Sequence, residues 1–241
     1  MALLALPLGL AGASVAHRLR VGAPTGPVAP LSVARVVFAL VGGGSLAALG
    51  ITTLRGVPPA SADLLTSLGA SAVGGMAASA VCVAELRAEA LGLRAASGRA
   101  WVAGLGLPLA FTVLGSAWLA LISALGAVPQ EQRLLEQISA APDGLALAAG
   151  AYAVIGAPVA EELLFRGAMF AYVAERRGGV VASLVTGALF GLLHIADPVA
   201  VPPLMLMGIV LGELRRRGAS LWPCVAAHAL NNVLAVLLAL A

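Results

Sequence analysis

The sequence predicts an all-α protein, a polytopic bundle of about eight transmembrane helices. Three observations predict it. Of the 241 residues, 61% are hydrophobic and only 10% charged, with a mean hydropathy of +1.02, far from the composition of a soluble globular domain. Apolar runs suited to a hydrocarbon layer about 30 Å thick follow one another along the whole chain. The chain has 29 glycines, which weaken helices in water, and many alanines, and both small residues let membrane helices approach closely. No strand pattern competes.

The runs lie at 2–16, 31–54, 64–84, 101–128, 144–173, 180–196, 199–213 and 221–241. The first, sixth and seventh are short and the fifth is interrupted by its own glutamates, so the pattern allows seven or eight helices. A cleaved signal peptide is the alternative for 1–16. The run lacks a basic leading region, however, and Arg18 and Arg20 follow it, which suits a retained first helix with its N-terminus outside. Residues 17–30 read as a turn-rich link, 85–100 as an interfacial helix and 129–142 as an amphipathic segment on the opposite face. None of the loops is long enough for a soluble domain. The expectation is therefore one membrane domain over 1–241, with scaffold helices in 1–128 and the chemistry in 144–241.

Arginine placement supports the topology, because the chain has no lysine and all 14 cations are arginines. If eight helices alternate, one face receives Arg18, Arg20, Arg87, Arg94, Arg99, Arg176, Arg177, Arg215, Arg216 and Arg217, ten of the 14. Arg35 and Arg166 fall within spans, leaving Arg55 and Arg133 for the other face. The positive-inside rule puts the arginine-rich loops in the cytoplasm and both termini outside. The net charge of +3 follows from this bias, and without aromatic interleaving it implies no nucleic-acid partner. Cys82 and Cys224 lie in apolar context without metal-ligand spacing and read as buried thiols.

Ionisable groups in hydrocarbon need a partner or a task. Three such constellations occur, all in the last third of the chain: Glu161-Glu162 with Arg166, then His194, then His228 with Asn232. Pro158 removes a backbone donor just upstream of the acids, and a helix opened there admits water. At i,i+4 spacing Glu162 pairs with Arg166, whereas Glu161 points about 100 degrees away and stays available. One glutamate then fixes geometry while the other acts. The alternative is a purely structural intramembrane cluster, although a second acid adds burial cost without structural need. His194 alone reads as an interfacial residue. His228 and Asn232 share a helix face and together suit a water or an oxyanion, although asparagines such as Asn231 and Asn232 also cross-link membrane helices. His17, beside Arg18 and Arg20, reads as a surface residue.

A depth estimate brings the groups to one level. At about 1.5 Å per residue, Glu161 lies roughly 20 Å from the cytoplasmic end of its run, His194 roughly 20 Å from the start of its own, and His228 roughly 16 Å beyond Arg217. That level is at or past the bilayer centre, so access requires a water-filled cavity.

Glu161-Glu162-Leu163-Leu164-Phe165-Arg166, Phe190-Gly191-Leu192-Leu193-His194 and His228-Ala229-Leu230-Asn231-Asn232 resemble the EExxxR, FxxxH and HxxxN motifs of the CAAX prenyl endopeptidase and bacteriocin-processing (CPBP) family of intramembrane proteases. The resemblance covers roughly 145–235, and Gly208 and Gly212 fit the glycine pattern of the intervening helix. It implies Glu161 as general base acting on water with help from His194, His228 and Asn232 as stabilisers of the oxyanion, and Glu162 and Arg166 as orienting residues. It also implies a membrane-associated peptide or lipidated protein C-terminus as partner and a metal-independent site. The alanine-rich, arginine-only composition resembles that of a high-G+C bacterium, hence a multi-pass protein of the cytoplasmic membrane.

Two alternatives stay open at this point. Glu161, His194 and His228 offer three zinc ligands with water as the fourth, although there is no HExxH and such ligation would remove the obvious base. Intramembrane acids and histidines also line ion pathways, so a nonproteolytic scaffold, self-immunity protein or transporter-like component competes, weakened by the absence of duplicated halves.

Overall fold

The computed structural model describes residues 2–21, 26–52, 59–126 and 141–239, and among these every regular element is a helix. They are α1 (Ala2–Val21), α2 (Pro30–Thr52), α3 (Pro59–Glu85), α4 (Ala88–Leu91), α5 (Gly98–Ala124), α6 (Asp143–Arg177), α7 (Gly179–Leu192), α8 (Val201–Gly218) and α9 (Trp222–Ala239). Pro30–Ile51, Ser61–Glu85, Gly98–Ala124 and Asp143–Arg177 are long and apolar enough to cross a membrane, and α7 and most of α9 are shorter apolar helices. Helices satisfy their own backbone groups, the condition for spanning hydrocarbon. The chain is thus a polytopic helical membrane protein. Its outward faces are apolar, as on α5, where Val102, Leu105, Leu109 and Val113 are exposed.

Two close helix crossings organise the bundle. In the first, Gly44 meets α3: a Cβ there would stand 2.9 Å from the Ala70 carbonyl oxygen. In the second, α7 and α8 meet through Gly187 and Gly208, and a Cβ on Gly208 would come 2.7 Å from Gly187 Cα. Gly191 against Met205 and Gly212 against Ser183 continue that contact on either side. Small residues four apart on both helices let the backbones touch, which replaces the hydrophobic driving force that lipid does not supply. The α1–α3 group is further tied by Glu85, whose Oε1 accepts from Ser14 Oγ at 2.6 Å and from Arg35 Nη1 at 3.0 Å. Arg35, read within a span, therefore has its counter-ion.

Several boundaries differ from expectation. Residues 85–100 do not form one interfacial helix: α3 ends at Glu85, α4 is four residues long, and Gly92 at φ 76 closes it. A left-handed glycine stops a helix whose last carbonyls need a tight turn. The sixth run ends as a helix at Leu192, so His194 lies in the following turn, while α6 and α8 extend beyond their apolar runs to Arg177 and Gly218. Nearly all of the 129–142 segment, together with Arg55 and Arg133, lies outside the described residues.

Because backbone opposes backbone at the α7–α8 crossing, Gly208→Val should lower stability by about 1–3 kcal/mol or more. Gly106→Val on α5, where a Cβ would meet nothing within 4 Å, should do far less. Chemical unfolding of both variants in micelles makes the comparison.

Candidate active site

α6 positions the acids. It is continuous from Asp143 to Arg177 but contains two π-helical turns, Tyr152–Gly156 and Leu163–Met169, on either side of the α-helical Ala157–Glu162. Pro158 at the start of that middle segment disrupts the ladder, and a wider turn accommodates the missing donor. The interrupted helix of the sequence reading is thus present as bulges rather than a break.

The two glutamates occupy different surroundings, as their offset on the helix requires. Glu162 is fully buried, and its Oε1 accepts from Arg166 Nη1 at 2.8 Å and from His228 Nδ1 at 2.9 Å. Glu161 keeps 34% side-chain exposure, and its Oε2 lies 3.9 Å from His228 Nε2. His228 therefore stands between the acids, one nitrogen committed to Glu162 and the other turned to Glu161. The Nδ1 contact is within hydrogen-bond distance, whereas 3.9 Å leaves Nε2 short of a hydrogen bond to Glu161.

Arg166 is equally buried and does more than pair with Glu162. Its Nη2 donates to the Gly208 carbonyl at 3.0 Å, and its guanidinium lies over Phe190 at 4.8 Å and Phe165 at 5.8 Å from the ring centroids. Absence of a side chain at Gly208 leaves that carbonyl reachable. Phe190, also buried, packs edge-on against Phe165 and His228 with centroids 5.3 and 5.5 Å away, and against the tilted His194 ring at 5.2 Å. One aromatic ring thus touches groups from all three motifs. In the sequence it served only as a spacing mark.

His194 is half-buried in the turn after α7, and its Nδ1 is 2.9 Å from the Phe190 carbonyl oxygen. A carbonyl only accepts, so Nδ1 carries the hydrogen and Nε2 of the neutral ring keeps its lone pair. The far end of this turn is held from α5, where Trp118 Nε1 donates to the Val199 carbonyl at 2.8 Å. Asn232, one helical turn beyond His228, is half-buried and donates from Nδ2 to the Ala153 carbonyl at 2.8 Å.

Glu161, Glu162, Arg166 and His228 thus meet directly, His194 joins through Phe190, and Asn232 contacts the same helix nearer its start. The zinc alternative fares poorly on donor geometry: among the described residues no three His, Cys, Asp or Glu groups converge in a metal-binding arrangement. Cys82 and Cys224 are buried free thiols.

Arg215 corrects the reading of the cytoplasmic arginines. It is buried, with Nε donating to the Arg166 carbonyl at 3.2 Å and Nη2 to the Ala90 carbonyl at 2.9 Å. The extension of α8 past its apolar run puts Arg215 on the face of Gly208, Leu211 and Gly212, which is buried. That i, i+3/i+4, i+7 spacing was the available signal. Arg215 therefore joins α4, α6 and α8 from inside.

The helical membrane bundle thus holds a buried Glu–Arg–His cluster beside a second, partly exposed glutamate. Residues 143–234 match the model of the family described as Type II CAAX prenyl endopeptidase Rce1-like. That match contains every motif residue above, so the likeness to CAAX-type proteases lies in this stretch of the chain. No curated protein and no solved structure matches the chain.

Removing one member of a buried ion pair leaves an uncompensated charge, so Arg166→Met should destabilise the protein by about 3–5 kcal/mol. Adding Glu162→Gln to that variant should recover part of the loss. Unfolding midpoints of both single variants and the double variant in micelles test this.

Proposed function

We propose that this protein is an intramembrane endopeptidase that cleaves membrane-associated or lipid-modified peptides with water activated by Glu161. The observation that carries this reading is the unequal environment of the adjacent glutamates. Glu162 is fully buried with its Oε1 held by Arg166 and His228, whereas Glu161 remains partly exposed beside an imidazole nitrogen.

The chemistry follows from those positions. Glu161 takes a proton from water as the water oxygen bonds to the scissile carbonyl carbon, and the carbonyl π electrons move onto oxygen. The lone pair of His194 Nε2 orients the same water. His228 is anchored to Glu162 through Nδ1, and the imidazolium form of its ring offers Nε2–H to the developing oxyanion. Collapse re-forms the carbonyl and breaks the C–N bond, and the departing amine takes the proton from Glu161. Glu162 and Arg166 hold His228 in place. The mechanism uses no metal.

Further parts of the reading rest on composition and family. They are about eight passes in a bacterial cytoplasmic membrane, arginine-rich loops on the cytoplasmic side, 1–128 as scaffold and 144–241 as the catalytic helices. The substrate class is a membrane-associated peptide or lipidated protein C-terminus presented from the bilayer.

Glu161→Gln keeps the size of the side chain and removes the base, and should lower cleavage by about 100-fold or more, the scale of general-base catalysis. Membrane-anchored and lipid-modified reporter peptides in proteoliposomes, at matched folded yield, provide the assay. Undiminished cleavage by the variant would remove Glu161 from its role. Failure of the wild type on every reporter would favour a nonproteolytic membrane protein.

A further inference from the structure

Pro158 leaves a specific debt in α6. In the π turn before it, the Ala157 N–H donates to the Tyr152 carbonyl, five residues back. One residue further on, the same register pairs the Ala153 carbonyl with the nitrogen of residue 158. Proline has no hydrogen there. The Ala153 carbonyl is left without its helical donor inside a helix long and apolar enough to span the membrane, where unpaired backbone groups are disfavoured.

Asn232 fills that place. Its Nδ2 donates to the Ala153 carbonyl at 2.8 Å, while one turn earlier on the same face of α9 His228 Nδ1 meets Glu162 at 2.9 Å. These two contacts pin α9 to α6 on both sides of Pro158. We propose that Asn232 is a positioning residue whose side-chain amide substitutes for the backbone donor Pro158 lacks, holding α6 in the register that sets Glu161 beside His228.

The residue type follows from the task. The donor must be short, uncharged and carried on a neighbouring helix. Asparagine meets all three conditions, and aspartate or leucine of similar size does not donate. The amide has two hydrogens, and the Ala153 contact uses one of them.

A double-mutant cycle tests the pairing. Pro158→Ala restores a backbone N–H facing the Ala153 carbonyl, so the Asn232 amide becomes redundant. In the wild-type background Asn232→Leu should lower the thermal unfolding midpoint in micelles by about 2–4 °C. It should also slow cleavage about tenfold, the scale of one lost buried hydrogen bond. In the Pro158→Ala background both effects should shrink by more than half. Equal effects in the two backgrounds would overturn the proposal and return Asn232 to the substrate. Pro158→Ser supplies the same N–H and runs the cycle if the alanine variant does not fold. The cleavage arm rests on the peptidase reading. If the wild type cuts no reporter, that reading fails while the unfolding midpoints still decide the role of Asn232.

Discussion

The buried Glu162–Arg166 pair is the constraint on which the rest of this structure depends. Both side chains are fully buried, and charges withdrawn from water persist only when neighbours satisfy them. Those neighbours come from three other helices. α8 supplies the Gly208 carbonyl, α9 supplies His228, and α7 supplies the Phe190 ring beneath the guanidinium. Placing the pair correctly therefore places three helices, and the same contacts leave His228 with one nitrogen turned to Glu161.

That arrangement depends in turn on backbone proximity. Arg166 reaches a main-chain carbonyl on α8 because glycine occupies position 208, and α8 lies against α7 because glycine also occupies position 187. The turn carrying His194 leaves α7 just after this crossing and is held at its far end by Trp118 of α5. Helix packing and site geometry are thus one problem. Small residues bring main chains together, and polar side chains use the carbonyls thereby brought within reach.

A second polar layer secures the arginine-rich end of the bundle. Glu175 near the end of α6 accepts from the Val28 N–H at 2.8 Å and from Arg87 Nη2 at 3.1 Å, and Arg176 Nη2 donates to the Val28 carbonyl at 3.0 Å. Arg215 lies deeper and bonds to carbonyls of α4 and α6. Several arginines that a charge-bias rule counts only as topology markers therefore also hold structure. The rule concerns which side a cation occupies, and whether its head remains in headgroups or turns inward depends on the helix carrying it.

Much of the site was legible from spacing. An i,i+4 glutamate and arginine on a helix must share a face, and adjacent residues must diverge by about 100 degrees, so the pairing of Glu162 with Arg166 and the separateness of Glu161 followed from sequence. Pro158 likewise marked the irregular stretch of α6, and the apolar runs determined a helical membrane protein. Only the tertiary structure decided that His228 bonds to Glu162, that Asn232 meets Ala153, that Phe190 joins the motifs and that Arg215 is buried. The physical reason is that spacing sets the direction of a side chain relative to its own helix. What stands in that direction depends on how helices far apart in sequence cross, through contacts such as Gly187 with Gly208 that local periodicity does not encode.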